Sequence, residues 1–257
     1  MAGLKIKKLA AGSACLLSVT GLVLVGRVVN GTDTGVGYLG GLDWNLLIFN
    51  WHPLLMSSFV TCAILSSSTW MLTPFNHAVS KMVHGGLHTV GAVCLSLGLY
   101  CVLKAHSGQN ESNTPYANLA TIHSWVGLTA IVLYLGNFVL GLLHFVASVC
   151  SDPQRKNYLP SHRTVGMISL FVAVSALIAG IMETIPCDYT VTDYDANPAA
   201  HYHDLSIGCR LGNGAGIAFI AAVVCAGFAL MSGEKVEHRE QDDSGNKDGF
   251  DEYLLNR

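Results

Sequence analysis

The chain has 257 residues, 51% of them hydrophobic and only 12% charged, with a net charge of −3. A soluble domain of this size carries about 25% charged residues, so most of this surface does not face water. The fourteen Lys and Arg residues are scattered rather than gathered into a patch, which excludes a nucleic-acid partner and leaves membrane lipid as the expected surroundings.

Six apolar runs follow one another along the chain, at 9–29, 50–72, 82–103, 119–147, 163–185 and 208–231. A helix needs about 20 apolar residues to cross a bilayer, and each run is long enough. The runs are continuous and lack two-residue alternation, so helices are expected rather than a barrel. The first run has the position of a secretory signal. Its length, the absence of a small-x-small cleavage site and the five runs after it favour a retained span. The stretch after Ser232 is charged and poor in apolar residues, and it is expected to be a disordered tail.

Positive charge orients the spans. With the first three lysines (Lys5, Lys7, Lys8) in the cytosol, eleven of the fourteen basic residues fall on that side; only Arg27, Lys104 and Arg210 fall outside. The sequons at Asn30 and Asn110 then lie on outer loops, as candidate glycosylation sites. Cys187 and Cys209 flank an outer polar segment and are candidates for a disulfide. The other six cysteines read as small buried hydrophobes. Both termini are therefore expected in the cytosol. Nothing in the sequence selects between the plasma membrane and an endomembrane such as a vesicle, lysosome or vacuole.

Ionisable groups inside a membrane are costly and tend to be functional. Four of the eleven histidines stand out by position. His52 opens the second span in FNWHPLLM and His123 the fourth in LATIHSWVGL, both near the outer face. His84 opens the third span in KMVHGGLH and His162 the fifth in LPSHRTVG, both near the inner face. This gives one pair per leaflet, each from two helices running the same way. Axial ligation of a haem iron needs imidazoles on opposite faces of a flat ring. Two helices facing across a bundle core can supply that, whereas neighbours on one helix cannot. One solvated histidine near a headgroup would be unremarkable; four paired by leaflet favour haem. Gly85, Gly86, Gly91, Gly127 and Gly166 would give a wide ring room between helices, or equally allow close helix packing. His88, four residues after His84, would suit zinc by spacing but lacks a nearby acid, and is expected to pack near the inner site.

The motifs FNWHPLLM, KMVHGGLH, IHSWVGL and PSHRTVG, with the spacing of their histidines, resemble the cytochrome b-561 family of transmembrane ascorbate-dependent oxidoreductases. The resemblance covers about 49–185 directly. It implies an all-α polytopic membrane protein whose six transmembrane helices include a four-helix haem-binding core. The chain then divides into an N-terminal tail with first span and outer loop (1–48), the di-haem core (49–185), an outer loop with the sixth span (186–232) and the tail (233–257). The resemblance implies two haem b groups, with His52 and His123 as outer and His84 and His162 as inner axial ligands. No C-x-x-C-H attachment motif is present. It further implies cytosolic ascorbate as donor, bound by Lys81 and Arg155 with Tyr134 lining the site. Monodehydroascorbate or ferric iron would be the acceptor, near His106 and Asn118. The activity implied is that of a ferric or monodehydroascorbate reductase, and the assembly a homodimer.

Lys81 lies one helical turn before His84 on the same face, and Arg155 and Lys156 are expected in the adjacent cytosolic loop. Three departures from the family pattern bear on the substrate sites. Ala120 and Thr121 stand where many members have Tyr-Ser, His77 replaces a second basic residue, and the loop before the sixth span is long. The acids of that loop (Asp188, Asp193, Asp195, Asp204) read as solvated. No side chain is expected to act as nucleophile or base. A membrane-anchor cytochrome exchanging electrons with quinone or a partner redox subunit is the alternative. A metal-ion transporter is disfavoured, because Glu183 is the only acid within a span.

Overall fold

The computed structural model describes residues 2–31, 39–72, 76–108, 116–147, 149–185, 187, 202 and 205–231. These residues form six long helices and no strand. They are α1 (Ala2–Asn30), α2 (Trp51–Leu72, led in by a 3-10 turn at Ile48–Asn50), α3 (His77–His106), α4 (Ile122–Gly141), α5 (Asp152–Thr184) and α6 (Ile207–Met231). Each is long and apolar enough to cross a membrane, as the six apolar runs require. Asn110, the acidic loop and the tail lie outside the described residues.

The helix starts follow local capping chemistry. Asn76 Oδ1 accepts the Val79 N–H at 3.0 Å at the head of α3, and Thr121 Oγ1 accepts the Ser124 N–H at 3.4 Å at the head of α4. At α5 the Gln154 side chain accepts from the Ser151 N–H at 2.8 Å and from its hydroxyl at 3.0 Å, the returning arm of a capping box. Asp152 and Pro153 stand in that first turn, where negative charge and a missing N–H are both favourable. These caps start α5 eleven residues before the apolar run. Arg155 and Lys156, expected in a loop, therefore stand in its first turns. Pro160 sits inside α5, where its missing N–H leaves one helical bond unmade.

Packing runs in pairs. α1 lies against α6 and α2, α2 against α3, and α4 against α5, while α5 also meets α2 and α6. The diagonals α2–α4 and α3–α5, and the α3–α4 seam, scarcely touch. The buried core (Phe59, Val60, Ile64, Leu95, Ala130, Leu170, Val174, Phe219 and neighbours) fills the interior between these pairs.

Before α2 the chain doubles back over the end of α1. The N–H groups of Leu39 and Gly41 donate to Val28 O and Val29 O. Gly40 and Gly41 take φ of 84° and 107°, which only glycine adopts freely. Asn50, 6% exposed, donates Nδ2–H to Leu39 O at 2.6 Å and Gly41 O at 2.7 Å. This staple fixes the start of α2, two residues from His52. Asn50→Ala should lower stability by about 1–3 kcal/mol, the cost of two unmade buried bonds; a melting curve in detergent at constant lipid checks it.

Candidate functional site

The α2–α3 and α4–α5 hairpins are built alike. In the first, His52 near the start of α2 faces Gly98 near the end of α3, and Ser66 faces His84. In the second, His123 at the start of α4 faces Gly180 near the end of α5, and Gly141 faces His162. Placing the hairpins side by side brings His52 to His123 at one end of the bundle, with ring centroids 6.1 Å apart and planes at 88°. It brings His84 to His162 at the other end, with centroids 6.4 Å apart and planes at 73°. Both pairs reach across the diagonals, where the helices themselves scarcely meet. His52 and Ser66 are fourteen residues apart on α2, so the pairs are separated by about 21 Å along the bundle.

These distances decide what the pairs can hold. A nitrogen ligand binds a transition metal at about 2 Å and lies about 1 Å from its own ring centre, so two trans imidazoles place their centroids roughly 6 Å apart. Both pairs meet that spacing. Donor chemistry agrees. His52 Nδ1–H donates to Gly98 O at 3.0 Å, His123 Nδ1–H to Ala176 O at 2.8 Å, and His84 Nδ1–H to Ser66 O at 3.1 Å and Ser66 Oγ at 2.9 Å. A proton held on Nδ1 leaves Nε2 bare, the tautomer an axial ligand needs. His162 Nδ1 is buried, with no partner among the described residues. The residues present therefore fit two bis-histidine haem sites.

The glycines divide into two kinds. A Cβ on Gly180 would lie 2.7 Å from His123 Cε1, and one on Gly141 3.0 Å from His162 Cε1. Both glycines give a paired imidazole ring its place, and neither stands out from sequence by its motif. Their signal is one of spacing: His52–Ser66 and His84–Gly98 are both fourteen residues apart, and His123–Gly141 and His162–Gly180 both eighteen. Equal spacings of this sort mark an antiparallel register. Among the expected glycines, Gly91 packs against Cys62, Tyr134 and Phe59, Gly127 approaches Ala176, and Gly166 approaches Asn137, which is close helix packing. Gly85 and Gly86 have open space beside them.

Tyr134, expected to line the donor site, is only 6% exposed. Its hydroxyl donates to His88 O at 2.9 Å and accepts from His88 Nδ1–H at 3.2 Å. Its ring packs edge-on to Phe59 at 4.6 Å and parallel to Phe138. Tyr134 stands well inside α4, in the apolar interior between the two pairs, where an unbonded hydroxyl would be costly. His88 in turn lies edge-on to His84 at 4.7 Å. Among the described residues no three His, Cys, Asp or Glu side chains gather to hold a further ion.

At the His84 end, Lys81 is partly buried one turn before His84 on α3. Arg155 pairs with Asp152 at 3.2 Å, while its buried Nε has no partner among the described residues. Asn137 donates to His162 O at 3.2 Å and accepts from the Tyr158 hydroxyl at 3.3 Å. His144, in a π-helical turn at Leu142–Val146 that continues α4, stacks on Tyr158 at 4.1 Å. At the His52 end, His106 Nδ1–H donates to Asn118 Oδ1 at 2.9 Å, so these two residues do come together. Cys187 and Cys209, with Cα atoms 5.2 Å apart, are joined by a disulfide. Asn30 is the last residue of α1 and its side chain donates to Gly26 O.

The comparisons with known proteins converge. An Oryza sativa subsp. japonica protein named a probable ascorbate-specific transmembrane electron transporter is 33% identical over 158 residues, covering 58% of this chain and 64% of the relative. Transmembrane ascorbate ferrireductase 1 of Arabidopsis thaliana is 32% identical, covering 58% and 63%. A lysosomal membrane ascorbate-dependent ferrireductase of Homo sapiens is 28% identical over 199 residues, covering 75% and 78%. The chain thus spans a little under two thirds of the length of the two plant relatives. The family model described as eukaryotic cytochrome b561 matches residues 51–186, the segment that carries all four paired histidines. The chain is a multi-pass membrane protein of the eukaryotic cytochrome b561 family, for which haem b is the implied cofactor.

Proposed function

We propose that this protein transfers electrons across a membrane through two haem b groups, from cytosolic ascorbate to monodehydroascorbate or ferric iron on the other side. The observation that carries it is the pair of histidine clamps, each at the spacing of a bis-imidazole site and one at each end of the bundle. When bound, each haem supplies a one-electron ferric/ferrous couple. The chain's own work is holding, orienting and insulating. His52 and His123 hold one group, His84 and His162 the other, and the core between them excludes water. Lys81 and Arg155 attract anionic ascorbate at the His84 end. His106, oriented by Asn118, keeps Nε2 available toward the acceptor. Orientation with both termini cytosolic rests on the distribution of Lys and Arg.

A visible spectrum of the purified protein tests the reading. Two b-type haems per chain, reduced on adding ascorbate, are expected. A colourless protein would remove the proposal, and reduction by quinol but not ascorbate would favour a membrane-anchor cytochrome instead. Lys81→Ala should raise the ascorbate concentration for half-maximal reduction by about 10-fold, the loss of one charge-assisted contact, with the spectrum unchanged. An unaltered concentration dependence would remove Lys81 from the donor site.

A further inference from the structure

We propose that Ser66 is a positioning residue that sets the reduction potential of the haem held by His84 and His162, an inference resting on the ligand assignment above. Three of the four paired histidines have a hydrogen-bond acceptor for Nδ1–H. For His52 and His123 that acceptor is, among the described residues, a backbone carbonyl alone, Gly98 O or Ala176 O, which no side-chain substitution removes. His84 differs. Its Nδ1–H lies between Ser66 O at 3.1 Å and Ser66 Oγ at 2.9 Å. The Ser66 hydroxyl proton goes to His84 O at 2.9 Å, leaving the oxygen lone pairs free to face Nδ1. Ser66 is wholly buried, so water does not compete for this contact. The fourth histidine, His162, has no partner at Nδ1 among the described residues.

The consequence follows from ligand chemistry. An acceptor that draws on the Nδ1 proton makes the imidazole more electron-rich and a stronger donor through Nε2. A stronger donor stabilises ferric over ferrous iron and lowers the potential. One site has both ligands supported in this way. The other is supported through His84 alone, and there half of the support is a hydroxyl. The two sites are therefore unequal, and Ser66 is the side chain through which one of them can be adjusted.

The test is a potentiometric titration of the intact protein in detergent, followed by absorbance and by low-temperature electron paramagnetic resonance, for wild type, Ser66→Ala and Ser57→Ala. Ser57 is an equally buried serine on α2 whose hydroxyl, among the described residues, lies within bonding distance only of Pro53 O and Leu54 O, so it controls for a lost buried hydroxyl. Ser66→Ala should shift one midpoint upward, leave the other in place and change the low-spin ferric signal of the same haem. Ser57→Ala should leave both midpoints where they are. Unmoved midpoints in Ser66→Ala, a downward shift, or an equal shift in Ser57→Ala would each overturn the inference. Outright release of one haem in Ser66→Ala would also overturn the inference, because Ser66 would then hold the group rather than set its potential. Failure of the ligand assignment is distinguishable from these outcomes, because it appears in the wild type as fewer than two haems, or in His84→Ala as two retained.

Discussion

His123→Ala should leave one haem per chain. The variant removes one ring of the His52–His123 clamp, whose centroids lie 6.1 Å apart, and leaves the His84–His162 clamp about 21 Å away along the bundle untouched. A haem iron with one axial imidazole in a site built for two loses half of its protein bonds. Alanine also opens apolar space beside Gly180 and Ala176, which costs about 2–5 kcal/mol for a side chain of this size. The two effects act on the same site, so loss of that group is expected to be near complete. The haem-to-protein ratio after purification, from the pyridine haemochrome spectrum, should fall from two to one. The remaining haem should keep a six-coordinate low-spin spectrum. Two haems in the variant would contradict the pairing of His52 with His123.

The second large effect is expected at a residue that touches no substrate. Gly180→Val places a branched side chain where even a Cβ would lie 2.7 Å from His123 Cε1 and 3.0 Å from its Nδ1. The ring cannot yield without breaking its 2.8 Å bond to Ala176 O, which fixes both its rotamer and its tautomer. Overpacking of this kind costs about 1–3 kcal/mol, and losing the support of a metal ligand lowers affinity by about 10–100-fold. Haem should therefore be lost selectively from the His52–His123 site, as in His123→Ala, with the helical content in circular dichroism unchanged. Gly216→Val is the matching control, at an α6 glycine where an added Cβ would meet nothing within 4 Å, and it should retain both haems.

Much of this protein is legible in its sequence. Low charge and six long apolar runs leave only a helical bundle in lipid, because unpaired backbone groups are too costly there. Hydropathy then limits each span closely on its apolar side. It misses the start of α5 because the first eleven residues of that helix are mostly polar. The signal there is Ser151 and Gln154, a local hydrogen-bonded cap that hydropathy does not register. The surroundings of Tyr134 are not legible from sequence, because position along a span does not say which way a side chain faces. Burial against Phe59 and the bond to His88 are facts about three helices at once.

The class of protein, the number of spans and the four histidines all follow from residue type and one-dimensional spacing. That the rings meet at 6.1 and 6.4 Å across the diagonals of the bundle, with Gly180, Gly141, Gly98 and Ser66 against them, depends on how the helices pack. Each of those four residues lies between 18 and 57 positions from the histidine it supports. Their register is set by how antiparallel helices slide and rotate against one another, and that is fixed by the packing of whole faces rather than by any local run of residues.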